Sequence, residues 1–232
     1  MSQPSQNPGP QNVSFPGGEG NAHGYLQLPP AGTGPGLVVI QEWWGLTPHI
    51  AELVRRFAEE GFVALAPDLY GGATAHDAAE AARLKKAMPV ERAARDLAGA
   101  VDYLLELPAV TSSTVGAVGF CMGGSFVLTL AAQQGERVSA AVPFYGLPSG
   151  ETDYQGLRAA VQGHYAEHDR SIDREAVVAT ATAITVQAGV HPQIFWYPAG
   201  HAFVNDQRPS FDRQSAALAW SRAVDFLRDH VR

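Results

Sequence analysis

Val118-Gly119-Phe120-Cys121-Met122-Gly123-Gly124-Ser125 decides the fold. The apolar run Thr114 to Val118 predicts a strand, and the small-residue stretch Gly123 to Gln134 predicts a helix. Gly-x-Cys-x-Gly-Gly is then the turn between them. A strand that breaks sharply into a helix around one central residue is a nucleophile elbow, here with Cys where the usual pattern has Ser. The turn strains the backbone of the central residue. Side chains at 119 and 123 would hold strand and helix apart, so both are glycine. The elbow lifts the sulfur into a cleft at a helix N-terminus, whose partial positive charge favours thiolate. The N–H of Met122 is left to meet an oxyanion. An inert cysteine buried in a glycine-rich turn is the plain alternative, and the flanking strand and helix argue against it.

Outward from the elbow, short apolar runs alternate with helical periodicity. Val13 to Phe15 and Ala22 to Leu28 flank Pro16-Gly17-Gly18 as a leading hairpin. Leu37 to Ile40 reads as a strand buried on both faces. Thr47-Pro48 opens a helix that Gly61 stops. Strands follow at Phe62 to Ala66, Val138 to Phe144, Leu157 to His164 and Gln193 to Tyr197. Helices are expected at about His76 to Met88, Val90 to Leu107, Asp173 to Gln187 and Phe211 to Val231. Ala176, Val177 and Ile184 are the expected inner positions of the first of the last two, and Leu218, Val224 and Leu227 those of the second. This alternation predicts an α/β fold with a mostly parallel central sheet and helices on both faces. Residues 1–12 read as a flexible tail and residues 13–232 as one domain.

A thiol nucleophile needs a base, and the base needs an orienting group. Tyr197-Pro198-Ala199-Gly200-His201 follows the last strand directly, which puts His201 where sites of open α/β sheets lie. His23, His49, His76, His191 and His230 read as surface or capping residues. The acid belongs after the preceding strand. Asp169 fits best, Glu167 and Asp173 stay open, and Asp173 also suits a helix N-cap. His164, His168 and Asp169 invite a metal reading, but no second ligand cluster accompanies them, so no metal is expected. Glu42, in Gln41-Glu42-Trp43-Trp44-Gly45, follows a central strand. The same loop must supply a second oxyanion N–H, most simply from Trp43, which brings Glu42 near Cys121. A carboxylate there raises a thiol's pKa and modulates the sulfur.

The chain of 232 residues carries 16 Lys+Arg against 23 Asp+Glu, a net charge of −7. That argues against nucleic acid or an anionic membrane as partner, since both require a basic footprint. One cysteine excludes an intrachain disulfide. The start shows no basic, apolar leader, and no apolar stretch is long enough to span a membrane, so a cytoplasmic location is expected.

At these residues the sequence resembles the dienelactone hydrolase (carboxymethylenebutenolidase) family of the α/β-hydrolase superfamily, from about Val13 to the C-terminus. The motifs are Gln41-Glu42-Trp43-Trp44-Gly45, Ala66-Pro67-Asp68-Leu69-Tyr70, Gly119-Phe120-Cys121-Met122-Gly123-Gly124, Phe144-Tyr145-Gly146 and Gly200-His201-Ala202-Phe203. The resemblance implies an α/β-hydrolase fold and a Cys121, Asp169, His201 triad. It implies a thiol-contacting Glu42 and backbone oxyanion donors at Trp43 and Met122. It also implies hydrolysis of an enol-lactone through an acyl-cysteine without metal or cofactor. The family's best-known members hold a substrate carboxylate with two arginines, and the corresponding positions here are Asn205 and Ala78, with Arg208, which precedes Pro209, near the first and Arg83, Lys85 and Lys86 near the second but displaced. Trp44, Tyr70, Tyr145, Phe203 and Asn205 are candidates for the substrate pocket. The expected partner is a small ester or lactone, and the expected state a monomer or small homo-oligomer. A thioesterase, a general carboxylesterase, a non-catalytic ligand-binding member and a redox-sensing thiol remain the alternatives.

Overall fold

The computed structural model describes residues 10–232. Eight strands form one sheet: β1 (Val13–Gly17), β2 (Gly20–Gln27), β3 (Gly34–Ile40), β4 (Val63–Pro67), β5 (Val110–Phe120), β6 (Val138–Phe144), β7 (Ala160–Ala166) and β8 (Gln193–Tyr197). Their spatial order is β1-β2-β4-β3-β5-β6-β7-β8. The β1–β2 and β2–β4 pairs are antiparallel and every other pair is parallel. The leading hairpin forms, but Pro16 pairs with Asn21 inside it, so the turn lies further along at Gly18-Glu19.

Among the described residues six α-helices cover the sheet: α1 (Pro48–Glu59), α2 (Ala78–Ala87), α3 (Val90–Glu106), α4 (Met122–Gln134), α5 (Arg174–Ala188) and α6 (Arg213–His230). Thr47 caps α1 with Pro48 as its first residue, and Asp173 caps α5 by accepting from the Ala176 N–H at 2.7 Å. Leu97 and Val101 of α3, Val127 of α4 and Ile184 of α5 pack with Val38 and Ala117 on one face of the sheet. Leu53 and Phe57 of α1 and Ala223 and Leu227 of α6 pack with Val39 and Val118 on the other. No helix among the described residues is long and apolar enough to cross a membrane.

Three expectations need correction. Ala176 is exposed, because α5 buries only the narrow stripe of Val177 and Ile184. Leu218 is 46% exposed, because α6 lies against the sheet through Ala216, Ala219 and Ala223, and Leu218 falls off that stripe. Gln11 and Asn12, expected in the tail, are tied down. Gln11 donates to Asp68, and Asn12 exchanges hydrogen bonds with Leu26. Residues 1–9 of that tail lie outside the described residues.

Candidate active site

The elbow forms at the C-terminal end of β5. Cys121 has φ 53° and ψ −114°, a conformation that costs a non-glycine residue on the order of 1–3 kcal/mol. Its N–H donates to the Phe144 carbonyl at 3.0 Å, and its carbonyl accepts from Gly124 N–H at 3.0 Å. A Cβ on Gly123 would stand 2.7 Å from the Gln41 carbonyl, and one on Gly119 would overlap Gly123, so α4 can start only where both are absent. Tyr145 (φ 38°) and Ala202 (φ 61°) are the only other non-glycine residues with positive φ among those described. Both lie in loops that follow a parallel strand at the same end of the sheet, so the strain is concentrated around the cysteine.

The loops after β7 and β8 bring Asp169 and His201 to the sulfur. Asp169 Oδ1 accepts from the N–H groups of Ser171 (2.7 Å) and Ile172 (3.2 Å), which fixes the carboxylate. His201 Nδ1 donates to Asp169 Oδ2 at 2.7 Å, and His201 Nε2 lies 3.3 Å from Cys121 Sγ. Burial pulls the imidazole pKa down, but the hydrogen bonds to Asp169 and Cys121 outweigh it and hold His201 up at about 10. Of the other acids considered, Asp173 caps α5 and Glu167 is exposed, and it is Asp169 that His201 Nδ1 meets.

Glu42 reaches the cavity but makes no hydrogen bond with Cys121 among the described residues. It is 2% exposed; Asn205 Nδ2 donates to its Oε2 at 2.6 Å and the Tyr145 hydroxyl donates to its Oε1 at 3.5 Å. Burial raises its pKa, against the lowering by Asn205 and the nearby charges of His201 and Arg208. Asn205 is therefore not on the pocket wall. It is buried and holds the glutamate from behind.

A cavity of about 460 Å³ opens over the sulfur, bounded by Glu42, Trp43, Trp44, Tyr145 and His201. Besides Asn205, two more of the expected lining residues are displaced. Phe203 is fully buried and packs on Tyr145 and Tyr197 at ring separations of 5.5 and 5.0 Å, so it is core. Tyr70 lies behind the wall, with its hydroxyl donating to the Trp43 carbonyl (3.2 Å) and to Met122 Sδ (3.4 Å). It thereby ties together the two residues whose N–H groups would face an oxyanion. Arg208 lines the cavity, with its guanidinium 3.6 Å from the Trp44 ring centroid. In the sequence it stands only as an arginine near the expected position. Lys85, one of the cations near the second expected arginine position, and Ser125 of the elbow also line the cavity, as do Ser171 and Ile172, which carried no sequence signal.

The remaining histidines separate from the site. His164 is fully buried in β7, bonded to the Tyr197 hydroxyl (2.8 Å) and Gln162 Oε1 (3.1 Å), so it does not converge with Asp169 on a metal. His49, expected at a surface or cap, is 5% exposed and pairs with Asp206 at 3.2 Å.

A model of the dienelactone hydrolase family matches residues 22–231. The chain belongs to the dienelactone hydrolase family. Protein usf of Aquifex pyrophilus is 33% identical over 230 residues, covering 95% of this chain and 99% of that protein. An Aquifex aeolicus (strain VF5) protein provisionally named a carboxymethylenebutenolidase is 31% identical, covering 96% of this chain and 99% of its own length. A Klebsiella pneumoniae subsp. pneumoniae crystal structure, provisionally described as a dienelactone hydrolase, superposes with a TM-score of 0.83 at 30% identity, covering 93% of this chain and 96% of that one. These place the chain among the dienelactone hydrolases of the α/β-hydrolase fold, as a carboxylic ester hydrolase.

Proposed function

We propose that this dienelactone hydrolase family member cleaves a small activated ester or enol-lactone through an acyl-cysteine at Cys121, with His201 as proton carrier and Asp169 as its orienting acid. The observation that carries this proposal is the unbroken contact from Asp169 Oδ2 to His201 Nδ1 (2.7 Å) and from His201 Nε2 to Cys121 Sγ (3.3 Å). With its pKa held up at about 10, His201 is a strong enough base to take the thiol proton of Cys121 across that 3.3 Å contact. The sulfur attacks the acyl carbon while the carbonyl π pair moves onto oxygen. The N–H groups of Met122 and Trp43 meet that oxyanion, and loss of one such donor typically costs about 3 kcal/mol. Collapse breaks the bond to the leaving group, which takes its proton from His201. Neutral His201 then removes a proton from water, whose oxygen attacks the acyl carbon, and the sulfur departs as thiolate.

A thiolate is itself a good leaving group, so the first adduct mostly reverts unless the substrate's own leaving group is of comparable stability or better. Enolates, phenolates and thiolates qualify, whereas ordinary alkyl esters and amides do not. Glu42 acts on the sulfur without a hydrogen bond to it, since its carboxyl group bonds Asn205 and Tyr145 instead. The test is a panel of activated lactones, enol esters and thioesters given to wild type and Cys121→Ala, read by intact mass. An acyl adduct on wild type alone is expected, and turnover that survives Cys121→Ala overturns the mechanism.

A further inference from the structure

The space over the sulfur does not end at the proposed catalytic residues. A second cavity of about 690 Å³ shares Lys85, Met122, Ser125 and Leu147 with the first, so the two are continuous. Its floor is one face of α4: residues 122, 125, 126, 129, 132 and 133 all line it, at the i, i+3, i+4, i+7 spacing of a single helical stripe. That stripe begins at Met122 beside the sulfur and extends about 16 Å at the rise of an α-helix. None of the stripe's residues is ionisable; the ionisable residues that line the cavity, Lys85, Glu151 and Asp153, are all exposed to water. Thr129 donates its hydroxyl to the Ser125 carbonyl at 3.3 Å, so its polar atom is already occupied. Met88 and Val90, at the junction of α2 and α3, form one wall, and Leu147 and Pro148 form the other. Val90 is 59% exposed, an apolar residue open to water on the rim.

We propose that this groove binds an extended apolar tail of the substrate, so that the preferred ester carries a chain or flat hydrocarbon group reaching from the acyl centre along α4. The proposal rests on the acyl-cysteine reading for its chemistry but not for its binding. Continuity with the reactive cavity names the occupant: a tail in the groove is covalently attached to a carbonyl at Cys121. Each methylene removed from water there is worth about fourfold in affinity.

The binding arm uses Cys121→Ala protein, which cannot form an acyl-cysteine, with butanamide and octanamide titrated by calorimetry. Octanamide is expected to bind at least tenfold tighter. Thr129→Trp, which fills the middle of the stripe, and Val90→Glu, which places a charge on the exposed rim and leaves the core untouched, are each expected to narrow that ratio at least threefold. Equal affinities for the two amides, or a ratio that neither variant changes, overturn the proposal. The rate arm compares p-nitrophenyl acetate, butyrate and octanoate with ethyl and octyl thioacetates on otherwise wild-type protein. A chain-length preference in the first series assigns the groove to the acyl side, and one in the second assigns it to the leaving group. No preference in either series refutes the groove as a substrate site. Octanamide selectivity without acylation of Cys121 by any ester sinks the acyl-cysteine mechanism and leaves the groove standing. Acylation without chain-length selectivity does the reverse.

Discussion

Two histidines on neighbouring strands show what a partner's charge decides. His201 follows β8 and His164 lies within β7, and burial pulls both imidazoles toward the neutral form. His164 meets only neutral partners, the Tyr197 hydroxyl and Gln162, and stacks on Phe144 at 4.4 Å. Burial, reinforced by the nearby Arg222 charge, drops its pKa to about 3. His201 meets a carboxylate on one nitrogen and sulfur on the other and rises to about 10. Desolvation amplifies whichever charge is placed beside the ring, so a buried imidazole is pushed up or down according to the partners it meets.

Asp169→Asn breaks the contrast most severely. It removes the negative partner and offers His201 the wrong tautomer, and kcat/KM on an activated ester is expected to fall about 10⁴-fold, by the precedent of the equivalent change in serine triads. The His201 imidazole titration, followed by NMR, is expected to move down toward 6.5; an unchanged titration removes the role assigned to Asp169.

His164→Leu tests the other side. It leaves the Tyr197 hydroxyl and Gln162 without their buried partner, and thermal or urea unfolding is expected to show a loss of about 1–3 kcal/mol. The pH dependence of stability then separates the two rings by sign. His164 has a depressed folded pKa, so its contribution is complete above about 6.5 and drains away as pH falls toward 3. His201 has a raised pKa, so its contribution is complete below about 6.5 and drains away as pH rises through 10. Melting temperatures of wild type minus His164→Leu are therefore expected to shrink in acid, and those of wild type minus His201→Gln to shrink in alkali. The same slope for both variants contradicts the contrast.

Smaller effects sharpen it. Glu42→Gln removes a negative charge near the sulfur, and the midpoint of pH-dependent iodoacetamide alkylation of Cys121 is expected to move to lower pH; an unmoved midpoint disposes of the modulating role. Tyr197→Phe withdraws one neutral hydroxyl from His164 and is expected to cost about 1 kcal/mol with no change in the His201 titration.

The same contrast explains what could be read from the chain in advance. The elbow, the β6 and β8 strands and the positions of Cys121, Asp169 and His201 follow from local features: glycines beside a central residue, short apolar runs, loops after strands. Phe203 and Tyr70 were misplaced because an aromatic residue has the same signature in a core as on a pocket wall. Leu218 failed because α6 approaches the sheet through alanines, and a helix of small inner residues hides its own orientation. Asn205 bonds a residue 163 positions away, a relation no window of sequence contains. Arg208 and the α4 groove likewise exist only once loops and helices have met.

The bond from Asn205 to Glu42 also has a mechanical side. Glu42 follows β3 near the middle of the sheet and Asn205 follows β8 at its edge, yet a charge-assisted contact of 2.6 Å fastens them out of reach of water. That bond couples the loop after β3 to the loop after β8 behind the cavity wall. Amide hydrogens in 41–46 and 202–208 are then expected to exchange with solvent at a common opening rate, and Asn205→Ala to release both segments together, so that the two loops breathe as a unit.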